Sequence, residues 1–584
     1  MSLLDDSLYE ISIELISDTL SNFSKFLQKD DIALIYSLFD TQWAQDRYQT
    51  LIKGDYDFDS IQFGLFMIAF GDANVEDLAQ KAGTDLKCQQ FLSALGGLLG
   101  SAGFAVNEDK IFVPALEFWS TFVETMIDVT YSTEGGHPPW FAAANEQVMQ
   151  SIHKCWRKIQ FPPPEVFDSW DSVDRIGFKD ARRDVSDLLE QFYIVSDISI
   201  LNVFIDLTQQ AISTRNWMEL EASLYCLSRF ADCVHGHAEE DQYLHRIFEP
   251  SLLTFLTSQQ EIPVRTTYVF LSLLREYSEY FEKNPILLPQ VLNVAFGSAA
   301  SPSLAKNASW AIVELCSKCR AILVPELGAF LQHLAGMTTA SSLDSSIKEG
   351  IMQGISSIVQ AIATDEARVA PLEQLLYCVE ADVEQCLRLF SPSLSSNAGY
   401  EATSELGLAA LRCLEGIAKG LQVPTDAPVD LEKQISVSTF WTGGKGIVIQ
   451  ERIIAIITKL YDALSTRGDV IDAICRVFRC GFRELEPGPF VFAPEVVAQI
   501  LLKANSQTPR LGAIINAASS LIGSQKYDSR IEVVVDTLLK WVGHILRTLA
   551  GMYTMFSALR MTVFSIANNL ANLISRNFIS RVTL

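Results

Sequence analysis

Arg182-Arg183-Asp184-Val185-Ser186-Asp187-Leu188-Leu189 and Trp217-Met218-Glu219-Leu220-Glu221-Ala222-Ser223-Leu224-Tyr225 carry the pattern that decides the fold. In both, apolar residues recur three and four positions apart, the spacing of one face of an α-helix. Val185, Leu188, Leu189, Ala222 and Leu224 are core candidates in any stack of such helices. Segments of the same kind recur from one end of the chain to the other, and strand-like alternation is nearly absent.

Residues 287–334 show the repeating unit. Leu287 to Ala295 predicts one helix, and 297–303 predicts a turn, with Pro302 near the next helix start, where proline is tolerated. Ala305 to Cys319 predicts a second helix, and Val324-Pro325-Glu326-Leu327 opens the next unit. A helix pair of ~40 residues is the period of HEAT and armadillo repeats, and about fourteen would fit the chain. The expected fold is all-α: a superhelical solenoid of HEAT/ARM-like helix-pair repeats, with the second (B) helices lining a concave surface. We expect a single array over 1–584. Within it, 1–130 holds the first repeats, 141–390 the central repeats and 405–550 the repeats with an arginine-bearing helix. Residues 551–584 form an atypical basic, apolar tail. Proline- and glycine-marked stretches at 131–139, 161–171, 423–446 and 486–494, and a polar one at 391–404, read as loops within the array, because helical periodicity resumes after each.

Composition agrees with an array. A single core seldom grows past ~250–300 residues, but a solenoid escapes that limit because each repeat packs only on its neighbours. A hydrophobic content of 49% and a mean hydropathy of +0.19 suit helices that bury a wide face. The net charge of −25 would repel phosphates, so direct nucleic-acid binding is not expected, and it favours basic partners through steering. Eleven scattered cysteines, and a start that lacks a basic, apolar leader, point to a reducing intracellular setting. No stretch of ~18 residues is both strongly apolar and free of charge, so no membrane segment is expected. Residues 541–566 come nearest, but His544, Arg547 and Arg560 interrupt them, and they read as a buried helix pair.

Candidate chemistry falls away on inspection. Cys316-Ser317-Lys318-Cys319 has the spacing of a zinc half-site or redox pair, but no second pair lies at zinc-finger spacing. Inside a helix its thiols read as small apolar core residues. His235-Gly236-His237, with Glu239, Glu240 and Asp241, reads as a charged helix end. Asp55-Tyr56-Asp57-Phe58-Asp59 imitates the start of a calcium loop, but Ser60 and Phe66 stand where the loop needs glycine and glutamate. Gly443-Gly444-Lys445-Gly446 lacks the phosphate-loop spacing and follows no strand. We therefore expect no enzyme, and assign no catalytic, cofactor-binding or metal-binding residue.

One constellation remains. In Val470 to Leu485, Ile471, Ile474, Phe478, Phe482 and Leu485 form an apolar stripe at 100° per residue. Arg476, Arg479 and Arg483 fall within roughly 60° of one another, well off that stripe. Such a row suits an anionic or phosphorylated partner. It would equally suit a solvated face with a partner such as Glu484, or salt bridges to acidic residues of the next repeat.

The two opening segments and this row, in that order, resemble the importin-β (karyopherin-β) superfamily, most closely its transportin-3/importin-13 branch. There a helix with a Val-Ser-Asp-Leu core precedes one of the form Trp-x-x-x-Glu-Ala-x-Leu. Val185 to Leu188, and Trp217, Glu221, Ala222 and Leu224, fit that pattern. The branch also carries Cys-x-x-Cys-Arg where Cys316, Cys319 and Arg320 stand. The arginine row resembles the helix that transportin-3 uses on serine/arginine-rich cargo. Importin-13 keeps the helix without the row, so the likeness leans to transportin-3. The resemblance implies a nuclear transport receptor that shuttles between nucleus and cytoplasm, meeting nuclear pore proteins and exchanging protein cargo under control of Ran-GTP. Arg476, Arg479 and Arg483 would contact cargo, serine/arginine-rich or basic. It covers the middle of longer family members, so the Ran-binding repeats are expected to be missing from this chain. The competing expectation is a HEAT-repeat scaffold of an assembly unrelated to transport.

Overall fold

The computed structural model describes residues 8–132, 136–236, 240–258, 262–339, 345–390, 397–424, 440–484, 486–524 and 529–549. The tail 551–584, Leu485, His237, Glu239 and residues 425–439 of the long loop lie outside them. Among the described residues the regular structure is helical, apart from one isolated bridge between Ala105 and Asp109. They divide into two compact units, Met1–Tyr277 and Ser278–Leu584.

Helices begin where a short polar side chain takes up free backbone N–H groups. Asp57 accepts from the Ser60 N–H at 2.7 Å to start Phe58–Ala73. That residue lies in the run that imitates a calcium loop, and its carboxylate serves a helix start. Asp171 caps Ser172–Ser196 through the Asp174 N–H at 2.8 Å, and Asn216 caps Trp217–Arg229 through the Glu219 N–H at 3.3 Å. Arg215, left-handed at φ 54°, ends Ser199–Thr214 one residue before that cap and turns the chain sharply between the two helices.

In the first unit, Phe58–Ala73, Phe112–Ser132, Ser172–Ser196, Trp217–Arg229 and Val264–Glu276 each pack on the next to form one layer, here called B. Leu86–Leu98, Phe141–Lys158 and Ser199–Thr214 pack behind it. The second unit repeats the plan. Its B layer runs Ala305–Lys318, Ser345–Gln360, Asn397–Gly420, Gly468–Phe482 and Leu511–Ser524. Leu288–Ala299, Leu327–Thr339, Asp365–Leu389, Ile447–Leu464 and Pro494–Leu501 form its other, A, layer.

The two opening segments are B-layer neighbours, and their polar residues explain the motif. Val185, Leu188, Leu189, Ala222 and Leu224 are all buried. Arg182 and Glu221, each 4% exposed, pair through two hydrogen bonds of 2.9 and 3.2 Å. The guanidinium also donates to the Ile159 carbonyl and lies between the rings of Phe161 and Tyr225, 4.4 and 4.3 Å away. The Tyr225 hydroxyl donates to the Arg182 carbonyl at 3.2 Å and sits 3.1 Å from Ser186 Oγ. Trp156 Nε1 donates to Ser223 Oγ at 3.1 Å. A charged pair removed from water must satisfy its remaining donors and acceptors, and this one does so with backbone and ring faces.

Several boundaries differ from expectation. Leu288–Ala299 runs through Gly297, which the sequence reading placed in a turn. A Cβ there would meet nothing within 4 Å, so the helix tolerates the glycine without needing it. Ala305–Lys318 stops one residue before Cys319, and a 3₁₀ turn at Val324–Glu326 opens the next pair. Leu224, Ile312 and Cys316 are fully buried. Trp217 is only half-buried: at the first position of its helix it reaches sideways to stack on Phe255, with ring centroids 4.9 Å apart.

Candidate functional site

The arginine row lies on Gly468–Phe482, between Asn397–Gly420 and Leu511–Ser524 in the B layer. Arg467, just before the helix, is held by Asp469 at 2.6 and 3.1 Å. Ile471, Ile474 and Phe478 are buried as their spacing predicts, and Phe478 meets Phe492 edge-on at 5.9 Å. Phe482 is only half-buried, and Leu485 lies outside the described residues. Gly481 is required by close approach: a Cβ there would fall 1.9 Å from the Phe490 carbonyl oxygen.

The three arginines do not share one environment. Arg476 Nε donates to Glu415 Oε2 at 2.8 Å, and its Nη1 pairs with Asp472 one turn earlier. Glu415, 4% exposed, is shared: its other oxygen takes Lys419 Nζ at 2.8 Å. Burial pushes the Glu415 carboxyl up, but hydrogen bonds from Arg476 and Lys419 outweigh it and hold the group below the usual range. Burial likewise works against the Arg476 charge, and the Glu415 bond overrides it. Across the same layer, burial raises Glu349, which feels Lys419, Glu415, Arg412 and Arg476.

Arg479 is half-exposed and Arg483 exposed, and neither has a hydrogen-bond or ion-pair partner among the described residues. Four residues apart, their Cβ atoms lie about 5–6 Å from each other on the helix surface. Glu484 turns away and accepts from the Val423 N–H at 3.5 Å. Gln422 Nε2 donates to the Cys480 carbonyl at 3.0 Å, which pins the last turn to the end of Asn397–Gly420.

Other candidates resolve into structure. Cys316 and Cys319 are fully buried, and burial pushes both thiols up, Cys319 to about 12. No cluster of three or more His, Cys, Asp or Glu among the described residues is placed to hold a metal ion. No helix there is long and apolar enough to cross a membrane. The sequence reading missed a groove of about 450 Å³ between Leu288–Ala299 and Leu327–Thr339. Leu288, Leu292, Phe296, Phe330 and His333 line it, with Phe296 5.7 Å from Phe330 and 5.0 Å from His333. Its only trace in the sequence is apolar residues on more than one face of both helices.

Stacked helix pairs with a charged B-layer face and an apolar A-layer groove describe a helical-repeat array. Known proteins give that class a family. Residues 250–333 match the transportin-3/importin-13 third TPR domain. The importin beta-like protein kap111 of Schizosaccharomyces pombe is 26% identical over 498 residues, 83% of this chain and 48% of that protein. Importin-13 of Bos taurus is 19% identical over 446 residues, 73% and 43% of the two chains. The structure of importin-13 in its cytosolic state superposes with a TM-score of 0.79 at 15% identity, covering 98% of this chain and 64% of that one. The Kap95:Nup1 complex follows with a TM-score of 0.55 at 14% identity, covering 93% and 58%. The chain is thus similar, over most of its length, to importin-β-like proteins of the importin-13/transportin-3 branch. It spans about half the length of the curated relatives it matches.

Proposed function

We propose that the protein is a nuclear transport receptor that grips protein cargo on the B-layer face of its second unit. Cargo exchange is governed by Ran-GTP, and the protein shuttles between nucleus and cytoplasm. The row Arg476, Arg479 and Arg483 anchors an anionic or phosphorylated segment of serine/arginine-rich cargo, while the acidic remainder of the chain attracts the cargo's own arginines. The observation that supports this most is the pair Arg479 and Arg483. In a chain with 70 acidic residues and a net charge of −25, both remain without an acidic partner among the described residues. Nuclear pore proteins are the second partner class. Kap95, a structural neighbour, forms a complex with Nup1, and the apolar groove between Leu288–Ala299 and Leu327–Thr339 suits an aromatic side chain from such a partner.

The test is a titration of the full chain against a phosphorylated serine/arginine-repeat peptide, wild type beside the triple variant Arg476→Glu, Arg479→Glu, Arg483→Glu. Binding that weakens steeply with salt and vanishes in a variant that stays folded supports the reading. A folded triple variant that binds like wild type removes this face from the cargo site.

A further inference from the structure

We infer that residues 161–170 act as a latch on Val264–Glu276. The rings of Phe161 and Phe167 hold the Arg265 guanidinium, and through it the first turn of a helix whose own sequence does not secure its start. That helix is the last of the B layer before the first unit ends at Tyr277.

Ser172–Ser196 and Trp217–Arg229 begin on Asp171 and Asn216, whose side chains take up backbone N–H groups. Val264–Glu276 begins on Pro263, which has no such side chain, and its first turn holds no acid. That turn carries Arg265 instead, a cation at the positive end of the helix dipole, where it is unfavourable. The Pro263 carbonyl accepts from the Thr267 N–H at 3.2 Å and closes the turn. What keeps it closed comes from outside the helix.

Arg265 Cζ lies 4.3 Å from the centroid of the Phe161 ring and 4.5 Å from that of Phe167. Its Nη1 reaches the Pro162 carbonyl, 103 positions away, at 3.5 Å. That bond is long, so the ring faces carry the contact. Burial works against the Arg265 charge, Asp168 and Glu221 favour it, and Arg182 opposes it. Glu221 is already paired with Arg182. The rings themselves are fixed: Phe161, Phe167 and Trp170 pack on Phe178 of Ser172–Ser196, with centroids 5.3, 6.1 and 5.7 Å away. Pro162, Pro163 and Pro164 stiffen the segment, because each proline fixes its own φ. A stiff segment anchored on one B-layer helix therefore holds the start of another, two places further along the layer. Seated, it keeps the first turn of Val264–Glu276 closed. Lifted, it leaves a poorly capped turn with a misplaced cation, and the turn opens.

Hydrogen exchange of the full chain, read at peptides covering 267–270 and 166–170, tests the latch. Helix-end rules and the latch predict opposite signs. Removing the cation with Arg265→Gln, or replacing it by an acid with Arg265→Glu, suits the dipole and by helix-end rules alone would slow exchange at 267–270. The latch predicts that both variants speed it about ten-fold, as loss of two partly desolvated cation–π contacts does. Arg265→Gln is the cleaner of the two, because it adds no repulsion from Asp168 and Glu221. Exchange at 166–170 should rise at least about three-fold in the same variants, since coupling between two sites is reciprocal. Phe161→Leu keeps apolar bulk but removes a ring face, and should speed 267–270 about three-fold or more from the other side.

Unchanged or slower exchange at 267–270 in Arg265→Gln overturns the latch. So does faster exchange there with 166–170 unchanged, which would mean a frayed helix end and nothing more. Peptides covering 113–123, within Phe112–Ser132, serve as the control. An equal rise in them would mean that the variant loosens the whole first unit, and the latch is again refuted.

Discussion

Replacing Glu221 by alanine is expected to destabilise the first unit by about 3–5 kcal/mol, the cost of breaking a buried pair from one side. The size follows from the surroundings of the partner left behind. Arg182 is 4% exposed and keeps only the Ile159 carbonyl and the rings of Phe161 and Tyr225. Guanidinium cannot shed its proton, so the charge stays buried. By contrast Arg183 and Asp180, 67% and 49% exposed at 3.0 Å, should contribute no more than ~1 kcal/mol. Arg182→Ala leaves a group that can respond. Burial already raises the Glu221 carboxyl, Arg182 opposes it, and losing Arg182 raises it further. A carboxyl whose folded value lies above its unfolded one gives stability that is complete below the unfolded value and lost as pH rises through the folded one. Arg182→Ala should therefore be mildest at acid pH and grow worse toward neutrality. The double variant Arg182→Met, Glu221→Leu replaces charge with similar volume and should recover most of the loss. A chain of 584 residues in two compact units is not a two-state system, so the readout is native-state hydrogen exchange at the amides of 182–189 and 220–227. A fall in local opening free energy under ~1 kcal/mol for Glu221→Ala, the value of a surface pair, would refute the reasoning.

Gly420→Ala should cost about 1–3 kcal/mol of overpacking, because its Cβ would lie 2.2 Å from the Gln353 carbonyl oxygen on the neighbouring helix. Gly297→Ala, with open space around the Cβ, should instead stabilise by roughly 0.5–1 kcal/mol; equal thermal shifts from the two would contradict the close helix approach. Glu415 sits below its usual range, so its stabilisation is present above the unfolded carboxylate value and lost as pH falls through the folded one. Melting curves between about pH 5 and pH 3 should show wild type losing more than Glu415→Gln does, and parallel curves would mean the pair is not formed. Cys316 and Cys319 should resist alkylation in the native chain at pH 8 and react only on unfolding, since the thiolate is the nucleophile and burial suppresses it. Peptide mass spectra that show prompt native labelling of either would reopen a chemical role for the pair.

The regularities of a single helix were legible from residue order. Val185, Leu188, Ile471 and Phe478 are buried where a 3.6-residue period puts them. The same period set Arg476, Arg479 and Arg483 off the apolar stripe, and the first two are half-buried and the third exposed. Where local rules were silent, boundaries slipped. Glycine at 297 reads as a turn, yet helix continues because neighbouring turns fix its backbone. Trp217 is left half-buried, because the first position of a helix has no preceding turn to cover it, and the ring leans on Phe255.

What the sequence by itself determined is therefore the all-α character, the faces of its helices and the placing of three arginines on one of them. These depend on backbone dihedrals and hydrogen bonds that close within four residues. Tertiary structure alone decided which charges meet. Glu221 finds Arg182 across 39 positions, and Glu415 finds Arg476 across 61. Glu415 thereby separates one neutralised arginine from two that have no acidic partner among the described residues. No periodicity encodes such pairings. They arise from how closely adjacent helices approach, which at Gly416 and Gly420 means backbone against backbone, and from the cost of leaving a buried charge unmatched.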